Sequence, residues 1–208
     1  KIGWVKVHQS MEIGAIHNAT VVRTATGKYF VVLNVEYDPQ PMPNNGCVVG
    51  VDVGLKEFYS DSNGTVVNNP KYLEKKAKKL AREQRRLARK QKGSHNREKQ
   101  RIRVAATHEK IANQRNDFLQ KQPTMLVREN QTICIEDLNI KGMLHNHKLA
   151  RAISSASWSS FFSMLEYKAY LYGCTVIRVP TFYPSSQTCS CCGYKNVAVK
   201  NLSIRQWE

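Results

Sequence analysis

Two acids interrupt otherwise apolar, strand-like runs. Asp52 lies in CVVGVDVGL, Cys47 to Leu55, and Glu136 lies in TICIEDL, Thr132 to Leu138. A buried carboxylate left unpaired costs several kcal/mol. If the two strands are neighbours, the side chains converge at one position on a sheet, and carboxylates that close repel unless a cation sits between them. Mg²⁺ suits such a pair, because it takes oxygen ligands, often one or two carboxylates together with substrate phosphates. Two such ions about 4 Å apart would stabilise the attacking and leaving oxygens of a phosphodiester displacement. The plainer reading leaves each acid at a strand end, in water or paired with arginine. It suits either acid alone better than both together beside a basic surface.

A second constellation is the Cys189 and Cys192 pair in TCSCCG. Cys-x-x-Cys supplies half of a tetrahedral zinc set, or a redox pair. Redox pairs of the thioredoxin kind lie between a strand and a helix, whereas this one lies in a polar loop. Cys191 is an extra thiol that could substitute for a neighbour. Cys47, Cys134 and Cys174 stand singly in apolar runs and read as small core residues. This is not the spread of a secreted disulfide framework, so a reducing cytoplasm, at the nucleoid, is the expected setting.

The chain of 208 residues carries a net charge of +16, and +12 of it falls in the 33 residues from Lys71 to Arg103. Such a surface attracts polyanions, and phosphate contacts release counterions. The predicted contacts are Lys75, Lys78, Lys79, Arg82, Arg85, Arg86, Arg89, Arg97 and Arg101. The bland alternative is a solvated helix face. No stretch approaches the ~18 apolar residues of a membrane span, and no signal-peptide pattern is present.

The elements that must position these residues follow from period and punctuation. GWVKVHQ alternates as a strand does, and TVVRTATGKYFVVLNVEY reads as two strands around Thr26-Gly27. DPQPMPNNG, Asp38 to Gly46, is a linker. The run at Cys47 to Leu55 predicts a strand buried on both faces, followed by a hairpin at Asn63-Gly64. Leu73, Ala77, Leu80, Gln84 and Leu87 recur at helical spacing, as do Ile102, Ala105, Ala112, Phe118 and Leu119. Gly93-Ser94 splits them into two long helices. The first, from Lys71 to Lys92, would reach roughly 33 Å, and Pro123 should kink or restart the second. Ser157 can cap a helix from Trp158 to Tyr172 that Gly173 ends. There Trp158, Phe161 and Phe162 read as core, ahead of stacking on bases. Thr175 to Pro180 is the last strand. His145-Asn146-His147 reads as a solvated loop, since an HNH nuclease motif is spaced over a ββα-metal fold.

The order of these parts resembles the RuvC/RNase H-like nuclease domain of transposon-encoded TnpB (OrfB) proteins, relatives of the type V CRISPR effectors. GVDVGLKEF, CIEDLNIKGM, NHKLARAISSASWSSFFSMLEYKAYLYGCTVIRVP and YPSSQTCSCCG carry the resemblance. It implies an α/β fold: an RNase H-like mixed sheet with an inserted basic helical hairpin, a small N-terminal β segment and a truncated zinc ribbon. It implies that residues 1–40 end a wedge domain, that 46–181 form the nuclease domain with the hairpin at 70–130, and that 182–208 begin the ribbon. Asp52 and Glu136 would be the first two catalytic acids, holding Mg²⁺. Asp137 is expected on the other face. Cys189 and Cys192 would be the first pair of Zn²⁺ ligands. The implied partners are a guide RNA and target DNA, with sequence read by base pairing.

The family's third acid and second Cys-x-x-Cys do not occur before Glu208. Zinc ribbons space their cysteine pairs by about 15–20 residues, and sixteen residues follow Cys192. The expectation is an internal segment of a longer RNA-guided DNA endonuclease, inactive and weak in zinc binding by itself. The alternatives are a catalytically silent nucleic-acid-binding module or decayed transposon product, and a conventional strand-joining transposase, for which no helix-turn-helix signal appears.

Overall fold

The computed structural model describes residues 6, 8, 13–181, 183–189, 191–201 and 204. The predicted strand GWVKVHQ lies largely outside them. The first described elements are β1 (Ile16–Arg23) and β2 (Tyr29–Val35), an antiparallel hairpin turning at Gly27, whose φ is +87°. Both strands are exposed almost throughout. The hairpin touches the rest through its turn: Lys28 Nζ donates to Glu109 at 2.6 Å, Thr26 donates to the same carboxylate, and Arg101 reaches the Ala25 carbonyl at 3.4 Å. Residues 36–47 form no helix or strand, as the linker composition predicts.

A five-stranded mixed sheet follows: β3 (Val48–Val53), β4 (Glu57–Asp61), β5 (Val66–Asn68), β6 (Thr132–Glu136) and β7 (Thr175–Val179), in spatial order β5-β4-β3-β6-β7. β3 and β6 are parallel, as are β6 and β7, while β4 and β5 run antiparallel to their neighbours. The β4–β5 turn forms because the Asp61 carboxylate accepts from the Asn63 and Thr65 backbone N–H groups at 2.9 and 2.8 Å, and Gly64 takes a φ of +85°.

Between β5 and β6 run α1 (Tyr72–Ala88) and α2 (His95–Glu129). The predicted break at Gly93-Ser94 is there. Gly93 has a φ of +81°, and the Ser94 hydroxyl caps α2 by accepting from the Arg97 N–H at 3.2 Å. α1 is shorter than its periodicity suggests, about 25 Å at 1.5 Å per residue. α2 neither stops nor restarts at Pro123, which is fully buried. A mid-helix proline costs about 3 kcal/mol. Packing on the next long helix offsets it: Lys168 donates to Thr124 at 2.8 Å and Tyr167 to Gln120 at 3.0 Å.

After β6 come α3 (Ile140–Met143), α4 (Ala150–Ala156) and α5 (Trp158–Tyr172). Ser157 joins the last two at a φ of +57°. Its hydroxyl bonds back to the Ser154 carbonyl at 3.0 Å and does not cap α5. Gly173 ends α5 at a φ of +74°, as expected.

The core lies between one face of the sheet and α2, α4 and α5. Val49, Val51, Ile133 and Ile135 point into it, and Phe58, Phe161 and Leu165 are fully buried. Phe58 meets Phe118 and Phe161 edge to face, with ring centroids 4.9 and 5.2 Å apart. Each such burial contributes roughly 1.5–3 kcal/mol. Trp158, Phe161 and Phe162 are therefore core residues. The opposite face of the sheet is open among the described residues, since Val48 is 61 % and Ile177 47 % exposed. β3 is thus buried on one face, not two. Cys47 is exposed, and Cys134 and Cys174 are half-buried, so none is a fully buried core residue.

Candidate functional site

Val51 pairs with Ile135 in the parallel β3–β6 ladder, so the next residues in register are Asp52 and Glu136. Side chains alternate between faces. Because Val51 and Ile135 point into the core, Asp52 and Glu136 share the open face, on strands about 4.8 Å apart. Both sit at the carboxyl ends of adjacent parallel strands, where open α/β sheets place their ligand sites.

The electrostatics show the proximity. Glu136 is pushed above the usual carboxylate range, first by burial and then by the negative charge of Asp52. Asp52 is also raised by desolvation, partly offset by the Val53 N–H. Asp52 is exposed to solvent, so its desolvation reflects the crowding of protein atoms around a carboxyl that water still reaches. The pair has the donor set and the unmet charge that suit a hard divalent cation. Among the described residues no group of three or more His, Cys, Asp or Glu side chains could hold a metal.

Asp137 faces the other way. It accepts from Arg178 Nη1 at 3.1 Å, and Arg178 also grips Glu166 at 2.7 Å and lies 5.7 Å from the Phe162 ring centroid. This network ties β6, β7 and α5 together and leaves Glu136 to the open face. His145, Asn146 and His147 are exposed beyond α3.

Cys189 and Cys192 lie in a tight turn. The Cys189 N–H donates to the Tyr194 carbonyl at 2.9 Å, the Gly193 N–H to the Cys189 carbonyl at 3.0 Å, and Thr188 bridges Lys195. Backbone N–H groups of Cys192 and Cys191 hold the Cys189 thiol below its usual range. That favours the thiolate, the form that ligates metal.

The basic residues divide. Lys75, Lys78, Lys79, Arg85 and Arg89 are exposed on α1 or at its end. None of these five has a carboxylate partner among the described residues. Arg82 and Arg86 flank buried Glu83, at 3.6 and 3.5 Å. Two predicted contacts have structural duties. Arg97 donates to the Leu87 and Lys90 carbonyls at 2.9 and 3.1 Å, closing the end of α1. Arg101 is held by Glu98 at 2.6 Å. Lys76 and Arg103 belong to the basic run from Lys71 to Arg103 and Lys110 lies beyond it; all three line a cleft between α1 and α2 with Lys79, Arg82 and Arg86. Their signal was spacing: Lys76, Lys79 and Arg86 share one face of α1, and Arg103 and Lys110 one face of α2.

Residues 30–147 match the OrfB_IS605 family, described as probable transposase. The chain belongs to that family. Residues 158–208 match the Cas12f1-like TNB domain. A Streptomyces pristinaespiralis protein named "Putative RNA-guided DNA endonuclease" is 43 % identical over 188 residues, which is 90 % of this chain and 46 % of that protein. InsQ of Escherichia coli K12, which carries the same description, is 32 % identical over 93 % of this chain and 52 % of its own length. TnpB-like protein L79 of Acanthamoeba polyphaga mimivirus is 30 % identical over 72 % of this chain and 31 % of its own. The chain thus spans about half the length, or less, of these curated relatives. A cryo-EM structure of a Cas12f1–sgRNA–target DNA complex aligns with 85 % of this chain and 45 % of its own, at a TM-score of 0.47 and 18 % identity. Among the described residues no helix is long and apolar enough to cross a membrane.

Proposed function

We propose that this chain is the nuclease-bearing part of an RNA-guided DNA endonuclease of the TnpB type, with a RuvC/RNase H-like sheet. The observation that carries the reading is the side-by-side placement of Asp52 and Glu136 at the ends of β3 and β6. The names of the relatives support it. The two carboxylates would hold Mg²⁺. A divalent cation there supplies charge to the attacking and leaving oxygens of a phosphodiester displacement. Asp52 and Glu136 fix the position of the reaction on the sheet, and their mutual repulsion readies them for a cation. A further acid completes the set in this reading. The helical hairpin binds phosphate backbones without reading bases, and sequence is read by a guide RNA paired to target DNA. Residues 1–40 belong to a wedge domain and 182–208 to a zinc ribbon begun by Cys189 and Cys192.

The test is cleavage of guide-matched DNA by the full-length protein loaded with its RNA. Asp52→Ala should abolish Mg²⁺-dependent cutting and leave RNA binding intact. Cutting at the wild-type rate by that variant would overturn the assignment. A binding module without cleavage is the second reading, favoured by the exposed Lys75, Lys78, Lys79, Arg85 and Arg89, which have no carboxylate partner among the described residues. Salt-sensitive binding by wild-type protein, with no cutting under any divalent cation, would select it.

A further inference from the structure

The row of side chains that holds Asp52 and Glu136 continues onto β4. Ser60 is the register partner of Asp52 in the antiparallel β3–β4 ladder. Directly opposed residues share a face, and Tyr59, one residue earlier, is part of the core. Ser60 therefore stands on the open face beside Asp52. The row reads Val66, Ser60, Asp52, Glu136 and Val179, across β5, β4, β3, β6 and β7. At about 4.8 Å per strand, its three polar members span roughly 10 Å. A valine bounds them on either side.

Ionised carboxylates only accept hydrogen bonds, and so do the non-bridging oxygens of a phosphodiester. Asp52 and Glu136 cannot grip that group directly, so orienting it calls for a donor beside them. Ser60 carries the one hydroxyl in the row. That hydroxyl has no hydrogen-bond partner among the described residues, although Ser60 is half-buried. Ser62, two residues on, is by contrast engaged, because its hydroxyl accepts from the Gly50 N–H at 3.0 Å. The floor next to the row is bare. Gly50 lies two residues before Asp52 on the same face, and a Cβ there would meet only Ser62, in ordinary contact at 3.8 Å. Packing among the described residues does not require that glycine, and a glycine inside a strand often marks the close approach of a ligand.

We propose that the Ser60 hydroxyl donates a hydrogen bond to a non-bridging oxygen of the phosphodiester seated over Asp52 and Glu136. The proposal rests on the nuclease reading above and deepens it by adding a substrate contact on β4. The two carboxylates serve the cation. Ser60 addresses the phosphate itself and brings no charge that would repel it. A donor on the β4 side alone also distinguishes the two non-bridging oxygens, because only one of them can turn towards it.

The test follows single-turnover cleavage of guide-matched DNA by the full-length protein loaded with its RNA. Ser60→Thr and Ser60→Val give side chains of nearly the same shape that differ in the hydroxyl, and both suit a strand. Their melting temperatures should agree. Ser60→Val should cut roughly 10- to 150-fold more slowly, the range of one lost hydrogen bond to a charged group. Ser60→Thr should stay close to the wild-type rate. Sulfur in place of a non-bridging oxygen at the scissile phosphate weakens the same bond. One diastereomer should therefore slow the wild type more than it slows Ser60→Val, and the other should slow both alike. The rise in melting temperature on adding Mg²⁺ should be the same in Ser60→Val as in the wild type. Equal rates for the threonine and valine variants overturn the contact, as do sulfur effects that match between wild type and Ser60→Val. A lost Mg²⁺ response in Ser60→Val overturns it too, since the hydroxyl would then serve the cation site. Cutting by Asp52→Ala at the wild-type rate, or none by the wild type, overturns the nuclease reading itself.

Discussion

Carboxylates at the end of the sheet and carboxylates on the helical hairpin are tuned in opposite directions. Asp52 and Glu136 lie above the ordinary range, raised by desolvation and, for Glu136, also by the charge of Asp52. Glu83, Glu98 and Glu109 lie below it, each lowered first by a hydrogen bond, from Gln100, Arg101 and Lys28 respectively. The first group has unmet charge and is poised for a ligand. The second is satisfied within the protein and holds elements together. One acid-poor chain thus uses the same side chain for chemistry at one end and for architecture at the other. The difference lies in whether a side-chain donor faces the carboxylate, since Asp52 has only the Val53 N–H to offset its desolvation.

The largest expected effect tests the chemical end. Glu136→Gln in the full-length protein should slow cleavage by at least roughly a hundredfold, since charge stabilisation at such a site amounts to several kcal/mol. Nucleic-acid affinity should stay within about twofold. An equal fall in both would erase the division between the two regions.

Packing gives the next contrast. Phe161→Ala, in the sheet core, should destabilise by about 3–5 kcal/mol in denaturant unfolding. Leu80→Ala lies on a two-helix seam that is partly open to water, and should cost about 2 kcal/mol. If Leu80→Ala costs as much as Phe161→Ala, the hairpin is no thinner than the core.

The pH response should carry opposite signs. Asp52 and Glu136 hold protons in the fold that the unfolded chain has already released, so stability falls as pH rises through their raised values. Asp52→Asn should therefore stabilise the protein above that window and lose the advantage at lower pH. Glu83 is depressed, so its contribution is full above the ordinary glutamate range and fades as pH falls through its lowered value. Glu83→Gln should accordingly destabilise near neutrality and less in acid. Melting temperatures across pH would show both trends, and a shared sign would break the comparison.

The smallest expected effect is Arg178→Ala. Its ion pairs with Asp137 and Glu166 are partly exposed, and such pairs contribute about 0.2–1 kcal/mol each. Activity should follow the small stability loss, because Asp137 faces away from Glu136.

Much of this was legible in the residues. Alternation and helical spacing located the strands and helices, and Asn63-Gly64, Gly93-Ser94 and Gly173 marked their ends. Asp52 and Glu136 stood out because a carboxylate in an apolar run demands a partner. Other features were illegible for physical reasons. Pro123 predicts a helix break from local sterics, and packing against α5 overrides it. Arg97 reads as one more surface cation until the turn brings the Leu87 carbonyl within reach. Cys47 sits in an apolar run, yet the exposed start of β3 leaves it in solvent.

Period and local conformational preference act over a few residues, so residue order alone places the elements, the basic hairpin and the two acids worth suspecting. That β6 lies beside β3, in the register that joins Asp52 to Glu136, is an outcome of packing. Packing also leaves one face of the sheet open and brings basic residues of α1 and α2 to the rim of a shared cleft. Those outcomes depend on which surfaces bury one another across 84 residues of chain, from Asp52 to Glu136, and no local pattern encodes that distance.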